Sequence, residues 1–209
     1  MRARSQHEAL TPGRLRLTPA SWLAWHPDWL DSAARAEVWG HAQTLPWQAR
    51  EIVLFGRRVM QPRLVTWAGR FPYAYSGQTL PPRDMPGWLA TLCAEVARAA
   101  GAPFNHVLGN LYRDGQDSMG MHADDEPELG PRPVVATLSL GAARRFVMAP
   151  ARTSPGEGRG RSERRSFDLT DGSLLVMAGA CQEEFRHGLP RTTQVVGPRI
   201  SLTFRFISP

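Results

Sequence analysis

His122 and Asp124 stand one residue apart in His122-Ala123-Asp124, and a second histidine, His187, follows well downstream. Two imidazoles and one carboxylate can hold one face of a ferrous ion and leave the opposite face open for oxygen and a small cosubstrate. Beyond His187 comes a strand-like run, Arg199-Ile200-Ser201-Leu202-Thr203-Phe204-Arg205. Alternation puts Arg199, Ser201, Thr203 and Arg205 on one face, with Ile200, Leu202, Phe204 and Phe206 on the other. Guanidiniums on a buried face require anionic partners, because an unpaired buried charge is costly. Six strand residues span roughly 20 Å, so the two arginines are spaced to bracket a small dicarboxylate. Asp124 and Asp168 compete as partners, and one arginine is expected to pair with such a carboxylate while the other serves a ligand. Three protein ligands and an open position also describe catalytic zinc. The arginines favour iron, since zinc hydrolysis has no use for a dicarboxylate cosubstrate, whereas oxygen activation at ferrous iron needs two electrons from one.

The surroundings of the triad extend the pattern. Asn110-Leu111-Tyr112-Arg113-Asp114-Gly115 comes first, then His122-Ala123-Asp124-Asp125-Glu126-Pro127, Ser139-Leu140-Gly141 and Ser173-Leu174-Leu175-Val176-Met177. His187-Gly188-Leu189-Pro190 and the Pro198–Arg205 run complete the series. In these motifs and their order, from about Ile52 to Ile207, the chain resembles the AlkB family of Fe(II)- and 2-oxoglutarate-dependent dioxygenases. The likeness is greater to the animal DNA-repair branch, homologs 2 and 3, than to the founding bacterial enzyme. The resemblance implies Fe(II) on His122, Asp124 and His187, with O2 as co-reactant. It also implies 2-oxoglutarate contacts from Asn110 and Tyr112 and from the last-strand residues Arg199, Ser201, Thr203 and Arg205. Leu111 departs from the basic residue usual in the family, at a position expected to point away from the site. Ala123 replaces a usual basic residue, which weakens one expected contact with substrate.

The N-terminal half carries the substrate elements that the resemblance implies. Leu54-Phe55-Gly56-Arg57-Arg58, Gln61-Pro62-Arg63 and Tyr73-Ala74-Tyr75-Ser76-Gly77 are similar to the family's nucleotide-recognition lid, about residues 45–84. Phe55 would wedge into the gap left by an extruded base, which must leave the stack before its alkyl group can be reached. Tyr75, with Tyr73 nearby, would stack on the flipped base. Asp125 and Glu126 would accept from its exocyclic amine or favour a cationic, alkylated ring. Ordinary core packing is the competing reading for Phe55 and Tyr75. Arg57, Arg58, Arg63 and Arg70 mix with aromatics as a phosphate track does, so Arg63→Ala is expected to weaken DNA binding. The implied activity is oxidative dealkylation of DNA, single- or double-stranded. Formaldehyde and succinate are released, 1-methyladenine and 3-methylcytosine are the lesions, and etheno adducts lie within reach. RNA or a protein side chain is the alternative substrate.

Composition agrees. The 209 residues, 42% hydrophobic and without internal repeats, suit one domain with a sizeable core. Net charge is +6, and all 25 basic residues are arginine, the side chain best matched to phosphate; a GC-rich genome would also favour arginine codons. Cys93 and Cys181 lie far apart in apolar surroundings, against a disulfide framework or a zinc cluster. No apolar stretch could span a bilayer and no secretory h-region is present, so no membrane partner is expected. A monomer in a bacterial cytoplasm, at the nucleoid during repair, is the expected state.

Residues 1–20 read as a mobile basic tail and 21–209 as the domain. Asp31 can cap a helix with apolar positions Ala34, Val38, Ala42 and Leu45. A second helix begins near Pro86, carries Leu89, Leu92, Cys93, Val96, Ala97 and Ala100 on one stripe, and ends at Gly101 and Pro103. From residue 104 short strand-like runs take over: His106–Tyr112, Val134–Leu140, Arg145–Met148, Ser173–Met177 and Arg199–Ile207. Residues 151–165, rich in glycine and arginine, read as an exposed loop. The fold class is therefore α+β, mainly β. Its core is expected at about 104–209, flanked by the N-terminal helices; a jelly roll follows from the strands, and its double-stranded β-helix form from the resemblance.

Overall fold

A computed structural model describes residues 6–7, 12–54, 56–75, 78–151 and 164–208. In chain order the strands begin with β1 (Gln6–His7), β2 (Gly13–Arg16) and β3 (Ser21–His26). Helix α1 (Ser32–Gln43) leads to β4 (Gln48–Leu54), β5 (Arg57–Gly69), β6 (Tyr73–Tyr75) and β7 (Gln78–Leu80). Helix α2 (Gly87–Ala100) precedes β8 (His106–Tyr112), β9 (Met119–His122), β10 (Val135–Gly141) and β11 (Arg144–Pro150). The last elements are β12 (Arg165–Leu169), β13 (Leu174–Gly179), the one-turn α3 (Cys181–Glu184), β14 (Phe185–Leu189) and β15 (Arg199–Arg205).

Both long helices form where the sequence places them. The Asp31 side chain accepts from Ala34 N and caps α1, and Gly101 ends α2 at φ 65°, a left-handed turn that costs glycine little. An eight-stranded sheet runs β2-β3-β13-β10-β15-β8-β5-β4, and a five-stranded sheet runs β1-β12-β11-β14-β9. Leu202, Phe204, Leu138 and Val107 on one face of the large sheet pack with Leu89, Leu92, Cys93 and Val96 of α2 and with Ala42 of α1. The opposite face meets the small sheet: Leu23, Trp25, Leu175 and Met177 pack against Phe146, Met148, Phe167 and Phe185. This two-sheet sandwich with helices outside one layer is the expected jelly-roll core. Cys93 and Cys181 are buried free thiols, and among the described residues no helix is long and apolar enough to cross a membrane.

Two expectations need correction. The tail is not loose through residue 20, because β2 pairs with β3 at the sheet edge and Leu15 and Leu17 pack against the inter-sheet core. Within about 45–84, β4 and β5 extend the eight-stranded sheet, and β6 and β7 pair as a hairpin apart from it. The last strand stops at Arg205, and Phe206 turns outward, 42% exposed. Most of the 151–165 loop lies outside the described residues.

Candidate metal and dicarboxylate site

Register in the large sheet decides what faces the small one. In β15, Arg199 is opposite Tyr112 and Ser201 opposite Asn110 on β8, while Thr203 and Ser201 face Thr137 and Ser139 on β10. Directly opposed residues of an antiparallel pair share a face, so this polar set looks toward the small sheet. Leu111 points to the helix side and packs there, as its place in the alternation requires. A cleft opens between the sheets, lined by Asn110, Tyr112, Thr137, Arg199, Ser201, Thr203 and Arg205 and by His122, Asp124 and His187.

The triad is assembled by strand pairing. His122 ends β9 and is the direct partner of His187 on β14, with ring centroids 4.3 Å apart. Gly188 permits this approach, because a Cβ there would stand 2.9 Å from the carbonyl oxygens of both Met119 and Gly120. Asp124 sits just past β9, its backbone N–H donating to Gln182 Oε1 at 3.0 Å. One ligand atom from each of the three residues falls within 4.8 Å of the others, with His187 Nε2 3.7 Å from Asp124 Oδ2. His122 Nδ1 lies 2.9 Å from Gly120 O, so it is the protonated nitrogen and Nε2 is left as the metal-binding atom.

The charges are already set for ligation. Burial pushes His187 down to about 3, with His122 acting the same way, and burial also lowers His122. Burial works against the Asp124 carboxylate, but Arg205, then His187 and His122, hold it below the usual carboxylate range. Two neutral imidazoles and one carboxylate are the protonation state a divalent cation needs.

The same shifts make a prediction for the metal-free protein. Free histidine titrates near 6.5, whereas His187 and the buried His106 are lowered to about 3. Between these values the unfolded chain binds more protons than the folded one. Stability is therefore present above about pH 6.5 and drains away as pH falls toward 3, and the depressed Asp124 adds loss in the same direction at the acid end. Urea midpoints of the chelated protein should fall steadily from about pH 7 to pH 4.5. A flat profile over that range would mean that these histidines are not held neutral.

The two arginines behave differently from each other, as the competition between them requires. Arg205, 3% exposed, donates from NH2 to Asp124 Oδ1 at 2.6 Å. Arg199, 1% exposed, donates from NH2 only to the Ser139 hydroxyl at 2.8 Å and lies against the Tyr112 ring. Burial brings its guanidinium down to about 10. Arg199 Nε, Arg205 Nε and NH1, and Asp124 Oδ2 are all buried without a hydrogen-bond partner among the described residues. Buried polar atoms normally find partners. Orphaned guanidinium nitrogens beside an orphaned carboxylate oxygen fit an anion at the arginines and a cation at Asp124.

The structure gathers Asn110, Tyr112, Arg199, Ser201, Thr203, Arg205 and the triad into this one cleft. The substrate candidates are scattered. Asp125 is exposed, and Glu126 is partly buried with its carboxyl pushed up by burial and then by Asp124. Tyr73 is fully buried, edge-on to His106 with centroids 5.0 Å apart, and so cannot stack on a base in this conformation. Arg63 is the clearest departure: at 5% exposure it faces inward, where no phosphate backbone reaches it. Arg57, Arg58 and Arg70 are exposed. Phe55 and the Tyr75 side chain lie outside the described residues. Sequence reasoning gave no role to Ser139, although Ser139-Leu140-Gly141 stood among the motifs, and it missed Gln182 and Arg144. Arg144 clamps the carbonyls of Asp114, Asp117 and Pro190 at 2.8–2.9 Å. No local pattern marks such contacts, because their partners are backbone atoms far away in sequence.

A two-sheet β sandwich with a His-Asp-His face and a buried arginine pair in one cleft defines a mononuclear metal enzyme that takes a carboxylate cosubstrate. Residues 4–205 match the 2OG-Fe(II) oxygenase superfamily, and the chain belongs to it, among the AlkB-like members. Fe(II), 2-oxoglutarate and O2 are accordingly its cofactor and cosubstrates, and the orphaned atoms above suit them. The chain is 40% identical over 173 residues to human alpha-ketoglutarate-dependent dioxygenase alkB homolog 3, covering 80% of this chain and 59% of that protein. It is 36% identical over 166 residues to mouse DNA oxidative demethylase ALKBH2, covering 76% of this chain and 67% of that protein. Thus the chain spans under two thirds of the length of its alkB homolog 3 relative in human. Among solved structures, a 2OG-Fe(II) oxygenase family oxidoreductase from Burkholderia pseudomallei shares the fold, with TM-score 0.60 and 16% identity over 97% of this chain and 95% of that one. OsALKBH1 also shares it, with TM-score 0.61 and 15% identity over 92% of this chain and 99% of that one.

Proposed function

We propose that this protein is an oxidative DNA dealkylase that removes N-alkyl groups from flipped bases, with 1-methyladenine and 3-methylcytosine as the simplest lesions. The observation that carries the reading is the pairing, in one cleft, of a His-Asp-His face with buried guanidinium nitrogens that lack a partner among the described residues. The DNA assignment draws on the relatives, one of them named a DNA oxidative demethylase. With iron, 2-oxoglutarate and oxygen bound, the chemistry supplied is hydroxylation of the alkyl carbon coupled to decarboxylation of the cosubstrate to succinate and carbon dioxide.

The chain's own residues bind and orient. His122, Asp124 and His187 present three ligand atoms to the metal, and Gly120 O fixes the His122 tautomer. Arg199, held by the Ser139 hydroxyl, and Tyr112 would form one end of the dicarboxylate pocket, Asn110 would line it, and Arg205, bonded to Asp124, lies on the metal side. Asp125 and Glu126, directly after the ligand Asp124, place carboxyl groups where a cationic alkylated base would be favoured over a neutral one. The hydroxymethyl product loses formaldehyde unaided, so no protein nucleophile is required. Neither buried cysteine is asked to act.

Substrate class is tested by competition. A 3-methylcytosine DNA strand and the RNA strand of the same sequence are mixed in equal amounts, and early repair of each is read by mass spectrometry. Preferential demethylation of DNA supports the proposal. Preference for RNA keeps the chemistry and moves the substrate to RNA.

A further inference from the structure

Arg63 lies on the face of β5 that carries Val65, which is the direct partner of Asn110 on β8. Its Nε donates to Asn110 Oδ1 at 2.8 Å, and NH1 donates to the backbone carbonyl of Ser118 at 3.2 Å. Ser118 N in turn donates to Pro62 O at 2.9 Å, so β5 is stitched to the segment that runs into β9 and His122. Asn110 is 2% exposed and lines the cleft beside Arg205 and Ser201.

A guanidinium has donors only, so the end of the Asn110 amide facing Arg63 must be its oxygen. The amide then has only its NH2 to offer the cleft. A free asparagine is nearly indifferent between its two flips, and one flip would set an oxygen lone pair against a carboxylate. We propose that Arg63 is a positioning residue: it fixes the Asn110 amide with its NH2 toward the 2-oxoglutarate carboxylate, and it ties that orientation to the segment leading to the metal ligands. This assignment rests on the proposed cosubstrate. It replaces the role in phosphate binding that the sequence suggests for Arg63.

The test is equilibrium binding of 2-oxoglutarate, measured calorimetrically on the full chain loaded with Mn(II), which avoids turnover. Arg63→Ala should weaken 2-oxoglutarate binding about tenfold or more, the size of one hydrogen bond to a charged group. In an Asn110→Ala background the same change should add little, because the two act through one amide. Affinity for a single-stranded oligonucleotide, measured without 2-oxoglutarate, should be unchanged. If Arg63→Ala does not fold, Arg63→Lys carries the same cycle: it keeps one donor but not the two-pronged hold, and should bind 2-oxoglutarate less tightly than the parent only where Asn110 is present. Equal losses with and without Asn110, or intact 2-oxoglutarate affinity with weakened oligonucleotide binding, would overturn the assignment. A parent protein that binds no 2-oxoglutarate would overturn the proposed function itself, whereas a normal parent with an unaffected Arg63→Ala overturns this assignment alone.

Discussion

Asp124→Ala is expected to destabilise the protein by about 3–5 kcal/mol even when no metal is present. Asp124 is 1% exposed and its Oδ1 is the charged acceptor for Arg205, which is itself 3% exposed. Removing the carboxylate leaves a fully buried guanidinium facing Glu126 only at longer range and two neutral imidazoles nearby. Dispersion contacts of the few atoms removed are small beside that uncompensated charge, so the electrostatic effect sets the magnitude. The measurement is urea unfolding of the chelated protein, with His187→Ala as comparison. His187 is a neutral ring packed on Phe146, with centroids 5.4 Å apart. Its loss should abolish metal-dependent turnover at a smaller cost in stability, about 1–3 kcal/mol. If the two variants were equally stable, the Asp124–Arg205 pair would not be the internal support it is taken to be.

Arg199→Ala should produce effects of the opposite balance. Here the charge has no carboxylate partner among the described residues, where it meets the Ser139 hydroxyl and the face of Tyr112. Removing it from the ligand-free protein should cost little stability, because the burial of an unpaired cation is relieved while some packing of its stem is lost. Binding of 2-oxoglutarate should weaken by about 2–5 kcal/mol, thirtyfold or more in Kd. Calorimetry with Mn(II) reads the affinity and urea unfolding reads the stability. Unchanged affinity would remove Arg199 from the cosubstrate site. A stability loss as large as that of Asp124→Ala would mean that Arg199 is satisfied within the protein.

These contrasting arginines show how far the sequence could be read. Alternation in the Arg199–Arg205 run gave both faces of β15, and burial of every residue in it confirms that the polar face looks into the sandwich. That one arginine would be taken by a protein carboxylate followed from cost alone. Which one it is depends on Asp124 lying beside the end of β9, a matter of three-dimensional closure. His187 was legible as a ligand delivered by a distant strand, but the bounds of that strand were not: Phe185-Arg186-His187-Gly188-Leu189 has a charge and a glycine, and it pairs because β9 and β11 flank it. β3 was missed for the reverse reason. Its buried residues Ser21, Leu23 and Trp25 alternate with Trp22 and Ala24, which are also apolar, so hydropathy conceals the period; Trp22 is instead covered by Arg14 at 3.8 Å. Arg63 looked like a surface cation because arginine usually is one, and its burial rests on partners distant in sequence, among them the Asn110 amide and the Ser118 carbonyl.

The central claim, oxidative dealkylation that consumes 2-oxoglutarate, is tested most directly by a single-turnover balance. The protein is loaded anaerobically with Fe(II) and 2-oxoglutarate, given a 3-methylcytosine oligonucleotide, and then exposed to oxygen; succinate, formaldehyde and demethylated base are measured together. Equal amounts of the three products are expected, with none from His187→Ala. Demethylated base formed without 2-oxoglutarate, or succinate formed while the methyl group stays on the base, would contradict the claim.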